Sequence, residues 1–410
     1  MRRFLAAILF SLLPLAAKAD PALVAHWVQY GPGGVAEARV AVTGDACPMA
    51  DIDGAHVAMQ EVAAPNAAFA IRLCLTDVPK SAKSVSVMGT PLPVPVAAPE
   101  RIVVLGDTGC RIKGSTVQAC NDPVKWPFPE LAAKAAALKP DLVIHVGDYL
   151  YRETPCPDGD AHCAGSPSGD NWPTWNADFF TPASPLLAVA PMVFVRGNHE
   201  DCPRSGAGWF RLMGPGADVG APCKHVAPYA VPLDAMTLVV MDDANAPDPT
   251  IDHGLIPTYR ADFASLATLA PAPLWLVMHR PIWGAVKGPL GLSVGGNATL
   301  IASLDANALA PVSLMLSGHI HAFEALNYTG HLPPQLLAGH GGDTLDPAPT
   351  DLGGLNLQGQ MVKDGIAKNA FGFVLMTRKD KDWNVEVHDA DGALAMTCVF
   401  AGGRIDCPTK

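Results

Sequence analysis

Little of this chain is charged, it has no excess of base and no C-x-x-C pair, and beyond residue 15 it has no long apolar run. Charged side chains make up 16% of its 410 residues and hydrophobic ones 49%. It can therefore bury a large core and is not a disordered tail. Acidic residues outnumber basic ones 39 to 28, for a formal net charge of −11. So acidic a chain has no general pull toward phosphate backbones or anionic lipid. Nucleic-acid binding through a basic face is excluded as the default, and an anionic ligand needs a local positive centre, a metal ion before all else. Without C-x-x-C, neither a zinc knuckle nor a thioredoxin-type redox site is indicated.

What is present begins with the pattern of an export signal. Met1-Arg2-Arg3 is a basic start, Phe4 to Leu15 is apolar, and Ala17-Lys18-Ala19 is a small-x-small cleavage site. The apolar run is shorter than the roughly 20 residues of a spanning helix and contains Pro14. Cleavage after Ala19 removes Arg2, Arg3 and Lys18, leaving 25 basic and 39 acidic side chains, a net of −14, and no membrane anchor. The expected destination is periplasmic or extracellular. All 10 cysteines lie in the mature part, and an even count in an exported chain favours disulfides over thiolate metal sites. Nearest-neighbour pairing is the preferred map: Cys47–Cys74, Cys110–Cys120, Cys156–Cys163, Cys202–Cys223 and Cys398–Cys407.

The length suggests two or three domains at roughly 150 residues each. Residues 20–99 read as short β-prone pieces, clearest at 38–42, 68–73 and 84–88, followed by the stiff proline-rich stretch 91–96. This part is expected to be a small β-sandwich-like domain that packs or docks a partner. From 100 to 410 the pattern becomes α/β. Apolar runs at 102–105, 142–146, 192–195, 238–241, 274–278 and 312–316 alternate with helical stretches at 129–139, 259–269 and 298–309, which indicates a sheet covered on both faces. The segments 371–378, 383–388 and 393–400 read as hairpin strands that complete this core.

Five of the apolar runs end in candidate ligands. Ile102–Leu105 leads into Gly106-Asp107-Thr108-Gly109, and Leu142–Val146 into Gly147-Asp148-Tyr149-Leu150-Tyr151. Met192–Val195 leads through Arg196 into Gly197-Asn198-His199-Glu200. Leu274–Met278 ends at His279, and Val312–Leu316 leads into Ser317-Gly318-His319-Ile320-His321. In an α/β sheet the carboxyl ends of the strands form one edge, so residues some 200 positions apart meet in one crevice. One such residue is an ordinary turn or core group; five in series are not. Carboxylate, amide oxygen, imidazole and phenol without thiolate suit iron, manganese or zinc. Seven candidate ligands exceed the three or four of a single catalytic site, so two metals fit better, with one carboxylate bridging them.

At these residues the sequence resembles the calcineurin-like metallophosphoesterase superfamily and, more narrowly, the purple acid phosphatases. The ordered blocks GD, GD, GNH, H and GHxH run from Gly106 to His321, and GDxxY, GDxG and GNHE match the narrower branch. Leu276 stands where Val is usual. Of the family's continuation after GHxH, Glu324 is kept and the arginine is missing. The resemblance implies an α/β fold, a two-sheet βαβ sandwich flanked by helices and preceded by the small all-β region. It also implies one metal on Asp107, Asp148, Tyr151 and His321, and a second on Asp148, Asn198, His279 and His319, with Asp148 bridging. His199 would assist the leaving group during in-line attack of a metal-activated hydroxide on a small-molecule phosphate ester. A ligating Tyr151 points to Fe(III), with Fe, Zn or Mn as the second metal, whereas a non-ligating one is a wall residue for which Tyr149 is equally available. A phosphomonoesterase is expected; the alternatives are a phosphodiesterase on the same site and a secreted metal-binding protein without activity.

Other residues carry weaker signals. His145 reads as either a support for the ligands or a core histidine, and Glu200 as either a partner of His199 or a turn carboxylate. Asp242 and Asp243 read as turn or capping groups. The stretch 152–175 is either a cleft wall or a disulfide-pinned loop. Asn297 and Asn327 begin glycosylation sequons that matter only in a eukaryote.

Overall fold

The computed structural model describes residues 22–408 except 235, 270, 272, 289–292 and 350; the expected export signal lies outside the described residues. Two large sheets face each other. The first has eleven strands, in the order 404–406, 394–401, 382–389, 372–379, 101–105, 142–145, 192–194, 23–30, 36–42, 72–78 and 60–63. Its centre is parallel: Arg101–Leu105 pairs with Leu142–His145, which pairs with Met192–Phe194. The second has eight strands, in the order 229–232, 237–240, 274–277, 312–317, 335–338, 323–328, 360–368 and 356–357.

The near-continuous apolar runs are explained by cover on both faces. Ile102, Val104, Ile144 and Val193 point inward against Leu238, Val240, Trp275, Val277, Leu314 and Leu316 of the second sheet. The alternate residues Val103, Leu105, Val143 and Met192 point outward, onto Phe128, Leu131, Leu186 and Leu187 of the helices Phe128–Ala137 and Thr181–Leu187. On the far side, Val239, Leu276 and Met315 pack against Tyr259, Phe263 and Leu266 of Ile256–Leu269. A strand's side chains alternate between faces, so each strand here serves two cores and is apolar along most of its length.

The N-terminal region is built of β-strands apart from one 3-10 turn at Pro32–Gly34 and its connecting loops. One sheet, with strands 55–58, 49–52, 85–87 and 90–92, packs on another formed by strands 23–30, 36–42, 72–78 and 60–63. The latter continues the first large sheet, with Leu23–Tyr30 parallel to Met192–Phe194 and Gln29 opposite Met192. The strand expected at 68–73 instead occupies Arg72–Val78. Four C-terminal strands extend the first large sheet from its other side, the three expected hairpin strands and Arg404–Asp406, with Gly372–Lys379 pairing antiparallel with Arg101–Leu105.

The helix expected at 298–309 is shorter. Asn297 caps it by accepting the Leu300 N–H at 2.8 Å, and it ends at Ser303, with Leu304 already extended. Asn307, at φ +69°, then turns the chain into Val312–Ser317. Asn297 and Asn327 are buried and engaged in hydrogen bonds, so neither asparagine is presented to solvent. All five disulfides follow the nearest-neighbour map. No helix among the described residues is long and apolar enough to cross a membrane.

Candidate metal centre

The loops that leave the parallel strands meet at one edge of the two sheets. Their ligand-type residues adopt backbone conformations that need tight turns: Asp107, Asp148 and His319 all have positive φ, at +56°, +58° and +69°. Such left-handed residues cost free energy and persist only where the surroundings impose them. The preceding glycines allow the loops to close in. A Cβ on Gly197 would lie 2.1 Å from Asp148 Oδ1, and one on Gly147, at φ +100°, would lie 2.4 Å from His279 Nδ1.

Seven side chains converge there in two overlapping groups. In the first, the Tyr151 hydroxyl lies 3.0 Å from Asp107 Oδ1, 2.9 Å from Asp148 Oδ2 and 3.0 Å from His321 Nε2. In the second, His279 Nε2 lies 3.2 Å from Asp148 Oδ2 and 3.1 Å from Asn198 Oδ1. Asp148, His279 and His319 each offer a donor atom within 4.8 Å of the others'. Asp148 Oδ2 belongs to both groups. His199 sits at the rim of the pair, its ring centroid 3.9 Å from that of Tyr151 and its Nε2 3.9 Å from Asp148 Oδ2. All but His319 are at most 7% exposed.

The donor chemistry fits cations better than protons. One hydroxyl carries one proton, yet carboxylate, carboxylate and imidazole atoms all crowd the Tyr151 oxygen. Burial, then Asp107, Asp148 and Asp343, push the Tyr151 phenol well above its ordinary value, against the pull of Arg111. Burial would lower His279 and His321, but the facing carboxylates win and raise them to about 9 and about 10. For His279 the opposing groups are Asp148, Asp107 and Asp243; for His321 they are Asp343, Asp107 and Asp346. A buried site this rich in negative charge is one that a multivalent cation would neutralise.

A surrounding set of groups holds the ligands in place. His145 is one of them: its Nε2 lies 3.0 Å from Thr108 Oγ1, its Nδ1 accepts from Gly147 N–H, and its ring stacks on Tyr149. Glu200 accepts from Tyr149, Leu150 and Gly197 N–H, tying the second loop to the third. Tyr149 instead bonds the Val195 carbonyl, away from the ligand cluster. Asp242 pairs with Arg196, and Asp243 accepts from the backbone N–H of His279 and Arg280. The stretch 152–175 is anchored: Arg152 pairs with Asp178, and Trp175 Nε1 donates to Asp170.

Four carboxylates near the site carry no signal in the five strand-end motifs. Glu153 Oε1 lies 2.9 Å from His199 Nδ1, and Asp248 Oδ2 lies 2.8 Å from His319 Nε2 while also pairing with Arg280. Asp178, in the helical turn Asn176–Phe180, accepts from the Cys110 and Tyr151 N–H groups. Asp343 pairs with Arg111 and lies 3.5 Å from His321 Nδ1. Only Asp343 had a readable signal. The buried strand Gln335–Ala338 ends in Gly339-His340-Gly341-Gly342-Asp343, a sixth case of the strand-end pattern.

Residues 100–323 match the family model for calcineurin-like phosphoesterases. The chain belongs to that family. The family implies a dinuclear metal site, and the residues gathered here form a cluster able to hold metal. This phosphoesterase also resembles solved structures of low identity, which speak for the fold alone. One is a purple acid phosphatase from yellow lupin (Lupinus luteus) seeds, 15% identical with a TM-score of 0.54, covering 96% of this chain and 77% of that one. Another is PhoD, 10% identical with a TM-score of 0.56, covering 98% of this chain and 94% of that one. No curated protein sequence matches the phosphoesterase significantly.

Proposed function

We propose that this phosphoesterase is an exported phosphomonoesterase of the purple acid phosphatase type. Asp107, Asp148, Tyr151 and His321 hold one metal ion, and Asp148, Asn198, His279 and His319 hold the second. The observation that carries the reading is the Tyr151 hydroxyl, placed within 3.0 Å of donor atoms from Asp107, Asp148 and His321. A phenol with a pKa near 10 in water, raised further here by burial and carboxylates, ionises only against a strong Lewis acid. Ferric iron suits that position, with iron, zinc or manganese in the second.

When bound, the two cations supply Lewis acidity toward water and the phosphoryl oxygens. The chain's own groups do the rest. Asp148 Oδ2 faces both sets of donors. His199 is held by its backbone N–H on Asp148 Oδ1 at 2.8 Å, and the Glu153 carboxylate lies 2.9 Å from its Nδ1. Its Nε2 is left to give a proton to the departing alkoxide and to stabilise charge developing on phosphorus. Export is supported by the five disulfides.

Metal analysis with a visible spectrum tests the reading. Iron should be present with a phenolate-to-iron absorption band, and Tyr151→Phe should abolish the band. Equimolar zinc without iron or colour would reject the purple type while sparing the family. Comparing aryl phosphate with bis-aryl phosphate on the same sample tests the substrate class; a preference for the diester would replace the monoesterase by a phosphodiesterase.

A further inference from the structure

A cavity of about 260 Å³ opens beside His319, next to the proposed second metal position. This is room for several waters, enough for a small alcohol. Pro249, Pro281, Val286 and Ile320 give it an apolar wall, and its charged groups are Asp248 and Asp346. The Asp248 charge is matched by Arg280. Asp346 accepts the His321 N–H at 3.0 Å, and no lysine or arginine pairs with it among the described residues.

The cations around the site are already engaged. Arg111 is paired with Asp343, Lys113 lies 3.0 Å from Glu153, Arg204 lies 3.8 Å from Glu153, and Arg280 is paired with Asp248. Lys287 is exposed on the strand that carries Val286. Adjacent strand residues face opposite ways, which turns Lys287 from the cavity that Val286 lines. A substrate's phosphoryl group can rely on the metals. A second phosphate or a carboxylate on the alcohol half would meet Asp346 and find no lysine or arginine lining the cavity among the described residues.

We infer that this cavity seats the alcohol half of the ester and selects a small alcohol without negative charge, an amino alcohol above all. The inference rests on the phosphomonoesterase reading. An ammonium group in the cavity would face the Asp346 carboxylate, which also faces His321 but pairs with no lysine or arginine among the described residues, while its methylenes lie against the proline, valine and isoleucine wall.

The test uses the metal-loaded enzyme and three esters of similar size: phosphoethanolamine, glycerol 1-phosphate and 2-phosphoglycolate, with p-nitrophenyl phosphate as reference. We expect kcat/KM to fall in that order, by about tenfold or more from first to last, the scale of one charge interaction in a partly solvated site. Asp346→Asn keeps an oxygen for the His321 N–H and should lower the preference for phosphoethanolamine over glycerol 1-phosphate about fivefold. Val286→Trp fills the cavity and should disfavour phosphocholine relative to phosphoethanolamine, with metal content unchanged. Equal kcat/KM for phosphoglycolate and phosphoethanolamine, or preferences that neither variant moves, would overturn the inference. Failure to hydrolyse p-nitrophenyl phosphate would instead count against the monoesterase reading.

Discussion

Replacing Asp178 should reach the candidate metal centre without touching a proposed ligand. Its carboxylate is fully buried and accepts four hydrogen bonds: Oδ1 from Cys110 N–H at 2.9 Å and Arg152 Nε at 2.8 Å, Oδ2 from Tyr151 N–H at 2.8 Å and Arg152 N–H at 3.3 Å. Asp178→Ala strands three buried backbone donors and leaves the Arg152 guanidinium, 7% exposed, without its counter-ion. Breaking a buried pair on one side costs about 3–5 kcal/mol. With an unfolding entropy of roughly 2.1 cal/mol/K per residue over the whole chain, that is a fall in Tm of about 5 °C. Since Tyr151 loses its backbone tether, the phenolate band should also weaken or shift. Calorimetry and a visible spectrum on Asp178→Ala, Arg152→Ala and the double variant give the answer. The double variant should lose less than the sum of the single losses, because it removes the stranded charge. Strict additivity, or a Tm within about 1 °C of the parent, would refute the reasoning.

Further outcomes follow from other groups. His199→Ala should lower turnover by about 10²–10⁴, measured by steady-state kinetics with p-nitrophenyl phosphate; a loss below about tenfold would remove its role as proton donor. Asp248→Ala should weaken retention of the second metal about 10–100-fold, read by metal content after dialysis against a chelator, while the Tyr151 band persists. Glu324 is buried against the Ala285 N–H, and burial above all raises its carboxyl to about 8. Between its ordinary value of about 4.5 and about 8, the unfolded chain ionises this group while the folded chain keeps its proton, so stability falls as pH rises through that window. Glu324→Gln removes this slope, and its Tm advantage over the parent should grow between pH 5 and pH 8; a constant difference would show that Glu324 is not held protonated.

Much of the candidate centre is legible because its proposed ligands obey a local rule. Asp107, Asp148, Asn198 and His319 each follow a glycine at the end of an apolar strand, and both the strand and the turn are written in adjacent residues. Of the supporting carboxylates, Asp343 obeys the same rule, whereas Asp178 and Asp248 do not. Asp178 lies in the middle of a helical turn and meets Cys110 across 68 positions, and Asp248 reaches His319 across 71. Nothing near either residue in sequence distinguishes it from a surface carboxylate. The same contrast holds for the fold. The strands of the parallel centre are apolar on both faces and stand out, whereas Leu23–Tyr30 mixes His26 and Gln29 with apolar residues and finds its neighbour Met192 far along the chain.

The cysteine map has a consequence for how the molecule is made. Each cysteine bonds the next one along the chain, and the widest span is 27 residues. An oxidant that joins thiols in their order of emergence across a membrane would therefore reach the native set directly, without an isomerase to undo errors. Production in a reducing cytosol followed by oxidation of the whole chain presents all ten thiols at once, and hundreds of wrong pairings compete with the single right one.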